Sequence, residues 1–237
     1  MTDDLSTGLT SLLPQGEPAP LAYTKSQAAY ISLRARILRG IITPGATLNQ
    51  ENLAAELRVS TTPLREALQR LEAEGLVKLA AHRDVVVSPL SVRDIHEIFD
   101  VRLQLDPYAG QLAAETATDA QLRAIQSLVP PAKHSGPGDP LEQNRKFHRA
   151  IYTCSGNKLL ADTLDALWDK TDRYRRILLD IDGGTDPHPT HSVIAEALAR
   201  RAGAEVWDLI RRHVQAKHDF IMDRLPSYLS SALSGRR

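Results

Sequence analysis

Hydrophobic positions along the chain recur mostly at three- and four-residue steps, the spacing that gathers one face of an α-helix. Tyr30, Leu33, Ile37 and Ile41 follow it from Gln27 to Arg39, and Gly40 ends the run, which predicts a first helix. Thr43-Pro44-Gly45 makes a turn, because proline presets one backbone angle and glycine tolerates the next. Gln50 to Leu57 reads as a short helix with Leu53, Ala54 and Leu57 inward. Ser60-Thr61-Thr62-Pro63 then opens a third helix, with hydroxyls able to cap exposed N–H groups and a proline tolerated in the first turn. Leu64, Ala67, Leu68 and Leu71 carry that helix to Gly75. There the period changes: Leu76-Val77-Lys78-Leu79 and Val85-Val86-Val87 are β-type runs either side of Ala80–Asp84, a predicted hairpin.

From Ser91 onward the pattern is helical throughout. Ser91 with Asp94 and Thr118 with Gln121 have the spacing of capping boxes. The first opens a helix with Ile95, Ile98, Phe99, Arg102, Leu105 and Leu112 on one side, which Pro107 is expected to kink or break. A short helix then ends before Pro130-Pro131, and the turn-rich stretch Pro130–Pro140 is a loop. Further helices are expected over 141–154, 158–181, 188–202 and 204–224, with a Gly183-Gly184 loop between the second and third. The fold class is therefore mainly α: an N-terminal winged helix-turn-helix over 25–90 and a C-terminal all-α antiparallel bundle of about six helices over 91–237. Residues 1–24, polar and without periodicity, read as a flexible arm.

Composition agrees with two modest helical domains. The chain has 237 residues, 42% hydrophobic and 24% charged, which fits a packed globular protein rather than a disordered or fibrous one. Aromatics are only 5%, against the needs of a β-sandwich. A single cysteine, Cys154, excludes an intramolecular disulfide framework and suits a reducing compartment. No apolar run approaches the ~20 residues of a membrane span, and the N-terminus carries acids where a signal peptide has bases, so a cytoplasmic location and no membrane partner are expected. Net charge is zero, but residues 25–90 hold nine Lys and Arg against six acids, a modest excess suited to a polyanion.

In a winged helix-turn-helix the third helix enters the DNA major groove N-terminus first, so short polar side chains and an early arginine meet phosphates and base edges. Here those are Ser60, Thr61, Thr62 and Arg65, with Gln69 one turn on. His82 and Arg83 at the hairpin tip are placed to reach backbone or minor groove. The plainer alternative is that the hydroxyls only cap a helix and the arginines are solvated.

Gly40–Leu48, Leu53–Leu57, Val59–Leu68 and Leu71–Val77 together resemble the DNA-binding domain of GntR-family transcription regulators. Two departures stand out: Thr61 follows the helix-start serine where that family usually has arginine, and Asp84 follows Arg83 where its wing usually has glycine.

Within the bundle, Asn144 and His148 lie four apart on a face shared with Leu141 and Ile151. His191 precedes Ile194 and Leu198 on another stripe, and His213 shares one with Val206, Leu209, Ile210 and Phe220. Three imidazoles and an amide thus point inward, either as satisfied core residues or as ligands of a divalent cation. The same residues, with Tyr152 and Ser155-Gly156-Asn157, are similar to the FCD-type ligand-sensing domain of the FadR branch of GntR regulators. That resemblance implies Asn144, His148, His191 and His213 as metal ligands, although the family more often has Asp at the first position. Imidazole-rich sites suit zinc or nickel and mixed shells also accept manganese or iron(II), with zinc favoured.

Arg102, with Asp106 beyond it, matches the family's Arg-x-x-Leu-acid pattern and is expected either to hold an effector carboxylate or to form a structural salt bridge. Tyr152 could add a hydrogen bond to the same effector, and Cys154 reads as filler. The expected function is a homodimeric regulator of double-stranded operator DNA, more often a repressor, answering to a small organic acid through a metal. The alternatives are a direct metal sensor and a metalloenzyme fused to a DNA-binding module. The second lacks a His-Glu-x-x-His motif or paired acids, so no enzyme is expected.

Overall fold

The computed structural model describes residues 23–79, 84–130, 139–181 and 190–234. The chain divides into two compact units, Met1–Leu90 and Ser91–Arg237.

In the first unit, helix α1 spans Lys25–Leu38, beginning before the predicted Gln27 because Thr24 caps it. The Thr24 hydroxyl accepts from the Gln27 N–H at 3.2 Å and the Gln27 side chain accepts from the Thr24 N–H at 2.9 Å. Thr24 therefore belongs to the folded unit rather than to the expected arm, while residues 1–22 of that arm lie outside the described residues. Gly40, at φ +72°, takes the left-handed conformation that ends the helix.

Strand β1 (Thr47–Asn49) leads into α2 (Gln50–Glu56), then α3 (Thr61–Ala73), β2 (Val77–Leu79) and β3 (Asp84–Val87). The sheet order is β1-β3-β2, all neighbours antiparallel, with Thr47 opposite Val86 and Val77 opposite Val87. β1 is an addition to the expected hairpin. It is held at its start by Val87 N–H donating to the Ala46 carbonyl and Gly45 N–H to the Val87 carbonyl, each at 2.9 Å. Leu33, Ile37, Leu53, Leu64, Leu68, Leu71, Val77, Val85 and Val87 form one buried core.

The second unit consists of α4 (Val92–Thr116), α5 (Asp119–Ser127), α6 (Pro140–Cys154), α7 (Lys158–Ile181), α8 (His191–Ala199) and α9 (Gly203–Ser234). Ser91 and Thr118 cap α4 and α5 as their sequences predict. Pro107 does not break α4: it is buried within a continuous helix. Gly110 lies directly against α9, since a Cβ there would collide with Ile210 and Val206.

α8 is shorter than expected and stops before Arg201, which adopts φ +56°. α9 is longer and runs through Pro226. Its buried stripe holds Val206, Ile210, His213, Val214, Lys217, Ile221 and Leu225. Leu209 and Phe220 are only half-buried on its flank. Among the described residues no helix is long and apolar enough to cross a membrane.

Candidate functional site

The first unit presents a polar face on α3. Leu64, Ala67, Leu68 and Leu71 turn inward, which leaves Ser60, Thr61, Thr62, Arg65 and Gln69 exposed together. Ser60 is the N-cap by backbone position, but its side chain makes no capping hydrogen bond, so its hydroxyl is not spent on the helix. Other charges of the unit are engaged in holding it together. The Arg70 guanidinium lies 3.9 Å from the Tyr30 ring centroid, Arg34 pairs with Glu74 at 2.9 Å, and Arg36 with Glu56 at 2.7 Å. Among the described residues, neither Arg65 nor Gln69 takes part in a side-chain hydrogen bond or ion pair of the unit. His82 and Arg83 lie outside the described residues.

In the second unit, α6, α8 and α9 bring three histidines to one point. The side-chain nitrogens of His148, His191 and His213 include one from each ring that all lie within 4.8 Å of one another. The ring centroids are 5.3, 5.0 and 4.7 Å apart for the pairs 148–191, 148–213 and 191–213. All three are buried, as is Asn144 one turn before His148 on α6. Both nitrogens of His148 and Nε2 of His191 are buried without a hydrogen-bond partner among the described residues.

Unsatisfied imidazole nitrogens in a dry core are costly unless something takes their lone pairs. Burial, then the neighbouring His213, His191, Arg102 and Arg175, hold His148 well below the usual histidine range. Burial and then Arg175 push His191 down to about 4. At neutral pH both are thus neutral, the form in which imidazole ligates a metal. Zinc with nitrogen ligands at about 2.0–2.1 Å has tetrahedral edges of about 3.3 Å, so the rings need close by only about 1.5 Å at most from the present spacing. The donor set therefore fits a divalent cation.

Around this centre the predicted effector residues form a hydrogen-bonded chain. Arg102 pairs with Asp106 at 2.6 Å and donates to Thr171 Oγ1 at 3.2 Å. The Tyr152 hydroxyl donates to Asp106 Oδ2 at 2.9 Å and accepts from Trp168 Nε1 at 2.8 Å. Of the two readings of Arg102, the salt bridge to Asp106 is made. Burial opposes the charge on Arg102, but Asp106, Tyr152 and Asp172 outweigh it and raise its pKa. Cys154 is half-buried, and burial pushes its thiol up, away from the thiolate that would ligate a metal.

Comparison with known proteins decides the family. The model of bacterial regulatory proteins of the gntR family matches residues 25–87, and the FCD domain model matches residues 97–216. The chain belongs to the GntR family of transcriptional regulators. It is 30% identical over 183 residues to the Nta operon transcriptional regulator of Aminobacter aminovorans, covering 76% of this chain and 86% of that one. It is 27% identical over 198 residues to the transcriptional repressor GlaR of Escherichia coli, covering 78% and 90%. The solved structure of E. coli McbR/YncC superposes with a TM-score of 0.71 at 24% identity, over 86% of this chain and all of that one, and so shares its fold. Its relatives and its domains are those of DNA-binding regulators and not of enzymes.

The structure of this GntR-family regulator also adds residues that sequence reasoning passed over. Thr190, immediately before His191, places its hydroxyl 2.6 Å from His213 Nδ1. Trp168 on α7 is a shared platform, its ring 5.0 Å from that of His148 and 4.6 and 5.5 Å from the guanidinium carbons of Arg102 and Arg175. Arg175 and Lys217 are buried, and burial followed by Arg175 pushes Lys217 down to about 6. The one signal available for Thr190 was its position beside a candidate ligand. Trp168, Arg175 and Lys217 carried none.

Proposed function

We propose that this regulator senses a small organic acid through a divalent cation, zinc in preference to nickel, manganese or iron(II), held by Asn144, His148, His191 and His213. The observation that carries this reading is the convergence of three buried histidines whose nitrogens include three left without hydrogen-bond partners among the described residues. A metal supplies a positive centre for a carboxylate in a site that excludes water. The side chains around the histidines suit an anion as well. Arg102 uses three of its five N–H donors on Asp106 and Thr171, and two remain for an effector. Tyr152 gives its one O–H to Asp106 and so fixes the guanidinium, and as the second effector contact proposed from the sequence it has a lone pair to offer a donor such as an effector hydroxyl. Arg175 adds positive potential close to the histidines, whereas Lys217, pushed down to about 6, is largely neutral there.

The DNA partner is double-stranded operator DNA, met by Ser60, Thr61, Thr62, Arg65 and Gln69 with His82 and Arg83, and the regulator acts as a homodimer on a two-fold-related site in the cytoplasm. Effector shifts the DNA-binding equilibrium only to the extent that it favours one arrangement of the protein over another. We take the sign to be repression relieved by effector, which the name of the relative GlaR supports.

The test is fluorescence anisotropy of labelled DNA from the regulator's own upstream region, at fixed salt, with a panel of mono-, di- and hydroxycarboxylates, with and without zinc. One acid should release the DNA only when the protein holds metal, and His148→Ala should bind DNA without responding. Release by zinc alone would make the protein a direct metal sensor instead. A His148→Ala variant that responds like wild type would refute the centre.

A further inference from the structure

A second pair of histidines meets on the surface of the helical unit, between α4 and α9. His96 Nδ1 lies 3.1 Å from His218 Nε2, with ring centroids 5.3 Å apart. The His96 side chain is 55% exposed, so solvent ions reach the pair. Each far nitrogen faces a carboxylate: Asp219 Oδ1 is 3.1 Å from His218 Nδ1, and Asp100 Oδ2 is 4.0 Å from His96 Nε2. Gln215 Nε2 donates to the same Asp219 oxygen at 2.8 Å and lies 3.4 Å from His218 Nδ1, and Phe99 packs at an angle against the His218 ring, 5.3 Å between centroids. The ring of His218 is thereby fixed from two sides.

The carboxylates create a conflict between tautomers. Asp219, within hydrogen-bond distance, favours a proton on His218 Nδ1, and Asp100, at 4.0 Å, favours one on His96 Nε2 through its charge alone. Together these choices would leave two lone pairs facing each other across the 3.1 Å gap. A neutral pair escapes only if one imidazole turns a lone pair toward a carboxylate. A divalent cation between the near nitrogens removes the conflict, because both near nitrogens then give their lone pairs to the ion while His218 Nδ1–H donates to Asp219 and His96 Nε2–H faces the charge of Asp100. Carboxylates behind ligating histidines are the usual way a site fixes tautomer and raises ligand basicity. The gap also matches the tetrahedral edge of about 3.3 Å set by Zn–N bonds of about 2.0–2.1 Å.

We propose that His96 and His218, backed by Asp100 and Asp219, form a second, surface site for an imidazole-preferring divalent cation such as zinc, with water in the remaining positions. It is weaker than a site of three or four protein ligands. It is separate from the buried triad and stands whether or not that triad binds metal. His96 lies in the second turn of α4, the first helix of its unit, so an ion here staples the start of α4 to α9.

The test is a titration of chelator-stripped full-length protein with zinc against a chromophoric chelator, with stoichiometry read by native mass spectrometry. Wild type should take up a weaker equivalent that His96→Ala loses and His148→Ala keeps. Asp219→Asn should weaken that equivalent several-fold without removing it. With copper(II) in place of zinc, His148→Ala should give an electron paramagnetic resonance spectrum with coupling to imidazole nitrogens, lost on adding His96→Ala. Zinc uptake by His96→Ala identical to wild type in affinity and stoichiometry would overturn the proposal and leave the pair as a hydrogen bond. Loss of uptake in His148→Ala alone, with no effect of His96→Ala, would do the same while supporting the buried centre.

Discussion

Thr190 Oγ1 lies 2.6 Å from His213 Nδ1, and this contact orients the imidazole that α9 contributes to the buried triad. If Nδ1 bears the proton, the hydroxyl accepts it and Nε2 is left with its lone pair for the centre. Thr190 is also the N-cap of α8, yet its side chain makes no capping hydrogen bond, so its hydroxyl serves His213 rather than the helix. Thr190→Val should therefore weaken zinc binding at the buried site about 10- to 100-fold with little change in thermal midpoint. Thr190→Ser should restore the affinity. Chelator competition on the three proteins measures this, and an unchanged zinc affinity in Thr190→Val would remove the positioning role.

Arg65 and Leu64 are neighbours in sequence with opposite duties. Leu64 is fully buried and Arg65 exposed. Arg65→Ala should leave the thermal midpoint unchanged and cost about 1–3 kcal/mol of binding to the regulator's own upstream DNA. If the contact is to a phosphate, the slope of log affinity against log salt should also fall by about 0.9. Leu64→Ala should instead lose about 2–5 kcal/mol of folding stability. Electrophoretic retardation over a salt series, beside urea unfolding, separates the two.

Much of this was legible in the sequence because the signals were periodic. The leucines of α3 and the histidines of α6, α8 and α9 all fall on apolar stripes, so their burial follows from spacing, while the meeting of the three imidazoles at one point was implied only by the family resemblance. β1 was not legible: three residues, Thr47–Asn49, are too few to alternate, and their pairing with β3 depends on a distant segment. Of the kink or break expected at Pro107 the break is not made, since the local rule that proline ends a helix can give way where tertiary packing buries the helix on several sides.

α7 hid the most. Trp168, Asp169, Thr171, Asp172, Arg173, Tyr174 and Arg175 are buried almost all round the helix, so no polar face separates from an apolar one. A charged residue on a helix is ordinarily solvated, and only its tertiary neighbours mark Arg175 or Lys217 as internal.

The triad ties stability to pH. Burial pushes His191 down to about 4 from the ordinary histidine value of 6.5, and it displaces His148 in the same direction. Above 6.5 both states of the chain leave His191 neutral; between 6.5 and about 4 the unfolded chain binds a proton that the folded one refuses. Stability of the metal-free protein should thus fall as pH drops through that window, by up to about 3 kcal/mol from His191. Zinc should steepen the fall, because it binds only the neutral rings. Urea midpoints for wild type and His191→Gln in chelator, from neutral to acid pH, check the sign. Parallel curves for the two proteins would show that His191 is not the group responsible.

Gly110 tests how closely α4 and α9 approach. Alanine is a better helix former than glycine by about 1 kcal/mol, so in an open helix Gly110→Ala would stabilise. Here a Cβ meets Val206 Cγ1 at 2.9 Å and Ile210 Cδ1 closer still. The Ile210 terminus can swing aside, but the Val206 methyl is tied to a β-branched side chain with few rotamers. Overpacking of this kind costs about 1–3 kcal/mol, so the net effect of Gly110→Ala should be destabilising by up to about 2 kcal/mol. Val206→Ala costs stability alone through the cavity it opens, but combined with Gly110→Ala the added methyl occupies that space, and the double variant should be more stable than the sum of the two single losses. Strict additivity in urea unfolding would mean that the two helices separate to admit the methyl rather than press on it through Val206.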